Sequence, residues 1–371
     1  MPTNSAAWLD APYADLTVRE APYTAPLAQE IVIRNRAIAV NPLDTVKQST
    51  GNLMYGWLPY AAVLGEDVAG EVVEIGSAVT RFRVGDRVLA YVVGMEKDRR
   101  HAAEGGFQNY SVARELLAAP IPDDLAFKDA VVLPLGISTA ASALFQQDQL
   151  GLRHPTAERP AAREAVVVWG GSTSVGSNAI QLAVAAGYEV VTTASPHNHE
   201  RMRQLGASAV FDYASAGVVG DVASAVEGTP VAGVIAVGTG SAEPAVAIAI
   251  ATGARRVAMA SPSVALAGLP QGLGRAVALA AMGMRLVGAN VALQIRCRAH
   301  GIRARFIWGS TLMNNEVGPM LWRDFLPGAL AAGRYATVPQ AVVVGTGLVS
   351  VQLALDALRS GVSARKLVVT L

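Results

Sequence analysis

The sequence predicts an α/β protein, a doubly wound parallel sheet joined to a β-rich domain, and three observations carry that prediction. Ala165–Tyr213 reads as strand, small-residue loop, helix and strand in immediate succession. The first 135 residues hold short Val/Ile/Leu runs bounded by glycine, whereas from about Ile137 strands and helices alternate. The last residues, Lys366–Leu371 (KLVVTL), read as a strand that returns after the alternating region.

In chain order, Glu30–Ala39 (EIVIRNRAIA) alternates apolar and polar residues at period two. Gly70–Ile75 and Arg87–Val93 read as short strands, with Gly76-Ser77 and Val84-Gly85-Asp86 as their turns. Ala165–Trp169 is a buried-type strand, and a helix begins near Val175, carries Ile180, Leu182, Ala183 and Ala186, and stops at Gly187. Further strands are expected at Glu189–Thr193, Ala209–Phe211, Val231–Val237, Arg256–Ala260 and Arg285–Val287. Late helices are expected over Pro327–Gly333 and Gly347–Leu358. The β-rich and alternating parts together imply two lobes with a cleft.

Composition narrows the function. At 371 residues the chain is long enough for two domains, and 52% hydrophobic residues with 36 glycines suit a well-buried α/β enzyme. A net charge of +1 gives no electrostatic case for nucleic acid or a membrane surface. The expectation is therefore no nucleic-acid partner and no membrane span, since even Ala276–Leu293 is broken by Arg285. The first residues show neither a basic start nor an apolar core of a secretion signal. The lone Cys297 rules out an intrachain disulfide, fits a reducing, cytoplasmic compartment, and is expected to be a packed core residue. It also leaves no zinc site that needs two thiolates, and none of the five histidines shows metal-ligand spacing.

The loop Gly170–Gly176 predicts a dinucleotide. A βα turn of this kind brings backbone N–H groups and a helix N-terminus to a pyrophosphate. The G-x-G-x-x-G places fall on Gly171, Thr173 and Gly176, so threonine stands at the middle glycine, and an ordinary tight turn is the competing reading. Ser172, Ser174 and Val175 complete the expected cofactor loop. NAD-binding folds usually end the second strand in an acid that holds the ribose 2′-OH. Here the strand ends Thr193-Ala194-Ser195, and Glu189 is at its wrong end. His197, Arg201 and Arg203 follow and offer donors to a 2′-phosphate, which favours NADPH. A solvated helix face is the alternative for the arginines.

Beyond this unit the motifs resemble a family. Asn41-Pro42-Leu43-Asp44 is similar to its N-P-x-D turn, Gly65–Gly70 to G-x-D-x-A-G, and Val84–Val88 to V-G-D-R-V. Gly105–Tyr110 matches G-G-F-x-x-Y, and Leu133–Ala140 matches L-P-x-G-x-x-T-A. Ser195–Asn198 and Phe306–Gly309 also look like family segments. In this order they resemble the medium-chain dehydrogenase/reductase superfamily, in its zinc-free quinone oxidoreductase and enoyl reductase branch, near the alcohol-dehydrogenase-like trans-acting enoyl reductases. The resemblance runs from about Ala25 to Leu371. It implies a GroES-like catalytic domain (1–136 and 310–371), a Rossmann domain (137–309), a cytoplasmic homodimer and no metal. Zinc-dependent relatives have Gly-His-Glu where this chain has Gly65-Glu66-Asp67.

The implied activity is reduction of an activated C=C in an enone, enoyl thioester or quinone, small or carrier-bound. A carbonyl/alcohol oxidoreductase and a non-catalytic NADPH-binding protein are the alternatives. Tyr55, in Tyr55-Gly56-Trp57-Leu58-Pro59, resembles the Y-G-x-L-P segment of a catalytic tyrosine, with a loop tyrosine as the bland reading. Lys47 stands one place later than the lysine of polyketide-type relatives, or is an exposed helix lysine. Asn41 and Asp44 are expected to shape the nicotinamide and substrate floor, with a turn cap as the alternative for Asp44. The resemblance assigns Thr139 to the nicotinamide end; a helix N-terminal threonine competes. Gly238 is expected at a second cofactor turn, Tyr213 at the adenosine end, and Phe306 and Trp308 at the nicotinamide side. Tyr55–Tyr60 and Ala289–Asn315 are expected to line the substrate pocket. The dimer is expected to pair strands around Gly253–Ala260 and Arg285–Val291, with the apolar stretch Ala265–Leu293 in core or interface.

Overall fold

In the computed structural model the chain divides into two compact units, residues 1–138 with 313–371, and residues 139–312. The structure describes residues 2–156, 163–261 and 275–371. The part of the apolar stretch from 265 to 274 lies outside the described residues.

The first unit opens with strands β1 (Asn4–Leu9) and β2 (Thr17–Ala21), then β3 (Glu30–Ala39) and the Pro42–Thr50 helix. Next come β4 (Ala62–Val63), β5 (Asp67–Ile75), β6 (Arg87–Tyr91), β7 (Tyr110–Arg114) and β8 (Ala118–Pro120). β3 keeps the predicted bounds, and its period-two pattern has a physical outcome. Arg34 and Arg36 stay half-buried and reach Glu71 of antiparallel β5 at 2.6 and 3.2 Å, while Ile31, Ile33 and Ile38 are fully buried.

The second unit carries a six-stranded sheet, all parallel. Its strands are β9 (Ala165–Trp169), β10 (Glu189–Thr193), β11 (Ala209–Phe211), β12 (Val231–Ala236), β13 (Arg256–Met259) and β14 (Arg303–Phe306). The order is β11-β10-β9-β12-β13-β14, so the chain starts in the middle, runs to one edge and crosses to fill the other. Val166, Val167 and Val168 are wholly buried, as expected of a strand covered on both faces. The sixth strand is not the one expected. Arg285–Val287 lies inside a 25-residue helix, Arg275–Ala299. Three residues of strand-like composition yield to a long run of Ala, Leu, Met and Arg, whose helix propensities add along the segment. A dimer contact made by a strand at Arg285–Val291 is thereby ruled out. Met284, Val287, Val291 and Ile295 stand exposed at helical spacing along that helix. Cys297, near its end, is buried in the core of this unit beside Leu293, as its lone occurrence led one to expect.

After the second unit the chain returns with β15 (Gln340–Thr346), the Val351–Arg359 helix and β16 (Arg365–Thr370). The main sheet of the first unit reads β15-β16-β3-β5-β6-β8, with β7 also paired to β3. β16 therefore sits between β15 and β3, antiparallel to β3, with Val368 opposite Ala39. Among the described residues one segment, Phe127–Phe145, is long and apolar enough to cross a membrane, and 78% of its most apolar 18-residue stretch is buried.

Candidate active site

Two groups of residues carry the predicted chemistry, one in each unit. In the second unit the turn after β9 closes tightly on the Ser174–Ala185 helix. Thr173 is the N-cap: its hydroxyl accepts the Gly176 N–H at 3.0 Å and donates to the Gly170 carbonyl at 2.8 Å. The residue at the place of the middle glycine is thus committed to the turn, through its side chain and through its backbone N–H, which donates to the Gly170 carbonyl at 3.1 Å. Gly176 is required by packing, since a Cβ there would lie 2.2 Å from the Gly170 oxygen. The Gly171 N–H is taken by the Thr193 carbonyl at 2.9 Å.

A nicotinamide dinucleotide fits this turn on one local observation. The Ser174 hydroxyl, at the first turn of the helix, is buried and has no protein partner among the described residues. A hydroxyl so placed suits a phosphate oxygen, and the helix N-terminus adds positive potential. Ser172 and Val175 flank it, half-buried. At the end of β10, Ser195 lies 3.4 Å from the Tyr213 hydroxyl. His197 and Tyr213 are exposed and Arg201 half-exposed, so the rim of β10 is polar and carries no carboxylate at its end. Gly238, after β12, adopts φ +101° with open space where a side chain would go, and its N–H is held by the Ser261 hydroxyl at 2.9 Å. Phe306 closes β14 with half its surface exposed, and Trp308 is half-buried. Thr139 is not at a helix N-terminus. It is the sixth residue of the Pro134–Phe145 helix, buried where a Cβ on Gly309 would strike its hydroxyl at 2.4 Å.

In the first unit the predicted residues meet in a buried polar network. Asn41 caps the Pro42–Thr50 helix, and Asp44 reaches back to accept the Asn41 N–H at 2.7 Å. The capping role weighed for Asp44 is what the structure shows. The Asn41 amide also donates to Asp67 at 2.9 Å, and its oxygen accepts from Lys366. Lys366 pairs with Asp67 at 2.7 Å, and the Leu135 N–H completes that carboxylate at 2.6 Å. Burial, opposed by the Asn41 N–H and then reinforced by the neighbouring Asp67 charge, leaves the Asp44 carboxyl pushed up to about 7.

Lys47 is not the exposed helix lysine that was one reading. It is fully buried, donates to the Asn52 side chain at 2.8 Å and to the Tyr55 carbonyl at 2.9 Å, and lies 4.4 Å from the centre of the Tyr60 ring. Burial lowers its pKa. Its ammonium thus fixes the segment that presents Tyr55. Tyr55 is itself buried, in the left-handed region at φ +55°, with its ring edge-on to Trp57 at 5.4 Å. Burial raises its phenol pKa, and any negative charge on Glu66 would raise it further. The phenol therefore stays a hydrogen-bond donor throughout the neutral range.

Asp67 and Lys366 of this network, and Glu66 beside it, were not predicted as site residues from the sequence. The available signal was two adjacent acids in an otherwise apolar stretch, Leu64 to Ala69. Gly65 makes their placement possible, because at φ +92° a Cβ would lie 2.3 Å from the Phe107 ring.

The comparisons with known proteins agree with this layout. Residues 27–123 match the alcohol dehydrogenase GroES-like domain. The chain is 47% identical over 374 residues to the dehydrogenase pigH of Monascus ruber, covering 100% of both chains. It is 39% identical over 370 residues to the trans-enoyl reductase himH of Aspergillus japonicus, covering 99% of this chain and 97% of that one. Among solved structures, the CurK enoyl reductase superposes with a TM-score of 0.71 at 17% identity, covering 99% of each chain. The chain belongs to the medium-chain dehydrogenase/reductase superfamily of oxidoreductases.

Proposed function

We propose that the protein is an NADPH-dependent, zinc-independent reductase that adds hydride to the C=C of an α,β-unsaturated carbonyl, enoyl thioester or quinone, small or carrier-bound. It is proposed to act as a cytoplasmic homodimer. The observation that carries the reading is the turn after β9, where an unpartnered buried hydroxyl, Ser174, stands at the start of a capped helix. The end of β10 supports the phosphorylated cofactor: Ser195, His197 and Arg201 offer donors and charge where a carboxylate would repel a 2′-phosphate. HimH, named a trans-enoyl reductase, supports the substrate class. Zinc independence is supported by the donor set, since no group of three or more His, Cys, Asp or Glu suited to a metal occurs among the described residues.

The cofactor, when bound, supplies hydride from the nicotinamide. The protein's part is then electrostatic. Negative charge develops on the substrate carbonyl oxygen, and a donor that keeps its proton is needed there. Tyr55 is such a donor, with its phenol pKa raised and its backbone pinned by Lys47. Asn41 and Asp44 hold the helix start beneath that segment, and Asn41 ties it to Asp67 and Lys366.

The test is oxidation of NADPH against NADH by metal-stripped protein with a panel of enones, enoyl thioesters and quinones. Turnover with NADPH, undiminished by chelator, is expected. NADPH binding without turnover on any acceptor refutes the reductase reading, and chelator-sensitive oxidation of alcohols supports the zinc enzyme instead.

A further inference from the structure

Glu66 and Asp67 are adjacent, both wholly buried, and opposite in their bonding. Asp67 receives Lys366, Asn41 and the Leu135 N–H. Glu66 receives nothing: neither carboxyl oxygen has a hydrogen-bond partner among the described residues. An ionised carboxylate in that position would lack both counterion and donors, at a cost of several kcal/mol. The groups around it push the same way. Burial first, then Asp44 from the Pro42–Thr50 helix, Glu96 from the segment after β6, and neighbouring Asp67 hold the Glu66 carboxyl protonated, against Lys366 of β16 alone. The phenols of Tyr55 and Tyr91 are the remaining titratable groups that feel its charge, and neither neutralises it.

A protonated carboxyl has one O–H, and here the protein offers it no acceptor. Native folds rarely bury a donor in this way without a partner that arrives with a ligand or with water. We propose that Glu66 is a neutral carboxylic acid whose O–H is reserved for the carbonyl oxygen of the bound unsaturated substrate. This rests on the reductase reading above. Hydride adds to the β-carbon, the C=C electron pair moves to the carbonyl oxygen, and the Glu66 O–H donates to that oxygen without giving up its proton. The α-carbon then takes a proton from solvent, so the C=C gains H⁻ and H⁺ and the cofactor is oxidised by two electrons. A carboxylic acid kept neutral by its surroundings is a known way to stabilise an enolate. Tyr55, which shares the same charged surroundings, would be the second donor to one oxygen.

The experiment compares the full-length wild type with E66Q and E66L. In the infrared spectrum of the protein alone, the wild type should show a protonated-carboxyl band that is missing in E66Q. With NADPH and the best acceptor of the panel, E66L should lose roughly 100- to 1,000-fold in kcat, as loss of one oxyanion donor does. E66Q keeps a donor and should recover most of that loss. Wild-type activity should fall at high pH as Glu66 gives up its proton, and E66Q should lack that limb. Because E66L may misfold, E66Q and the infrared band decide independently. No band difference, or an unchanged alkaline limb in E66Q, overturns the role of Glu66 alone. A wild type inactive on every acceptor overturns the reductase reading, and the role of Glu66 with it.

Discussion

Replacing Lys366 by Met removes the cation paired with buried Asp67. Lys366 is 4% exposed and Asp67 0%, with the ammonium 2.7 Å from the carboxylate. At that separation and an effective dielectric constant near 20, the attraction is roughly 6 kcal/mol before desolvation is counted. Desolvation cancels much of this in the intact pair, but a lost partner leaves the other charge buried, at about 3–5 kcal/mol. Asp67 keeps the Asn41 amide and the Leu135 N–H, which places K366M at the lower end, about 3 kcal/mol. In a protein of this size that lowers Tm by about 4 °C. The assay is thermal and urea denaturation of wild type, K366M, D67N and the double variant. Removing both charges should recover part of the K366M loss, because the double variant has no orphaned carboxylate. A K366M effect under about 1 kcal/mol, the value of a solvent-exposed pair, would refute the reasoning.

Three further outcomes follow from the same geometry. Asp44, pushed up to about 7, has a raised folded-state pKa, so its contribution to stability is present below about pH 4 and lost as pH rises through 7. Urea denaturation at pH 5 and pH 8 should therefore show a drop in wild type that is smaller by an order of 1 kcal/mol or more in D44N; equal drops would contradict this. G176A forces a Cβ to within 2.2 Å of the Gly170 oxygen, so the turn must open. NADPH affinity measured by fluorescence titration should weaken about 10- to 100-fold, or about 1.4–2.8 kcal/mol, and unchanged affinity would show that the turn does not hold the cofactor. K47M strips donors from exposed Asn52 and from the buried Tyr55 carbonyl, about 1–3 kcal/mol for the buried acceptor left unmet. Limited proteolysis should then cut within residues 51–60 faster than in wild type, and identical cleavage would count against Lys47 as their anchor.

What the sequence made legible was local. β3, β9, β10 and β11 have the bounds their composition predicted, because each is a Val/Ile-rich run whose apolar period or glycine punctuation is complete within the segment. The strand–turn–helix after β9 was legible for the same reason: its parts are contiguous from Ala165 to Ala185. Arg285–Val287 misled because three residues cannot report the 25-residue helix that contains them, and β2 escaped notice because four of its five residues are exposed. In the first unit the chemistry depends on pairings that no window along the chain contains. Lys366 and Asn41 lie 325 residues apart and meet only because β16 pairs with β3 in the register that sets Val368 beside Ala39. From composition, Lys366 was the start of an apolar terminal strand and Asp44 a turn residue. Only the sheet turns the lysine into the counterion of Asp67, leaving Glu66, one residue away, without a hydrogen bond among the described residues to hold it ionised.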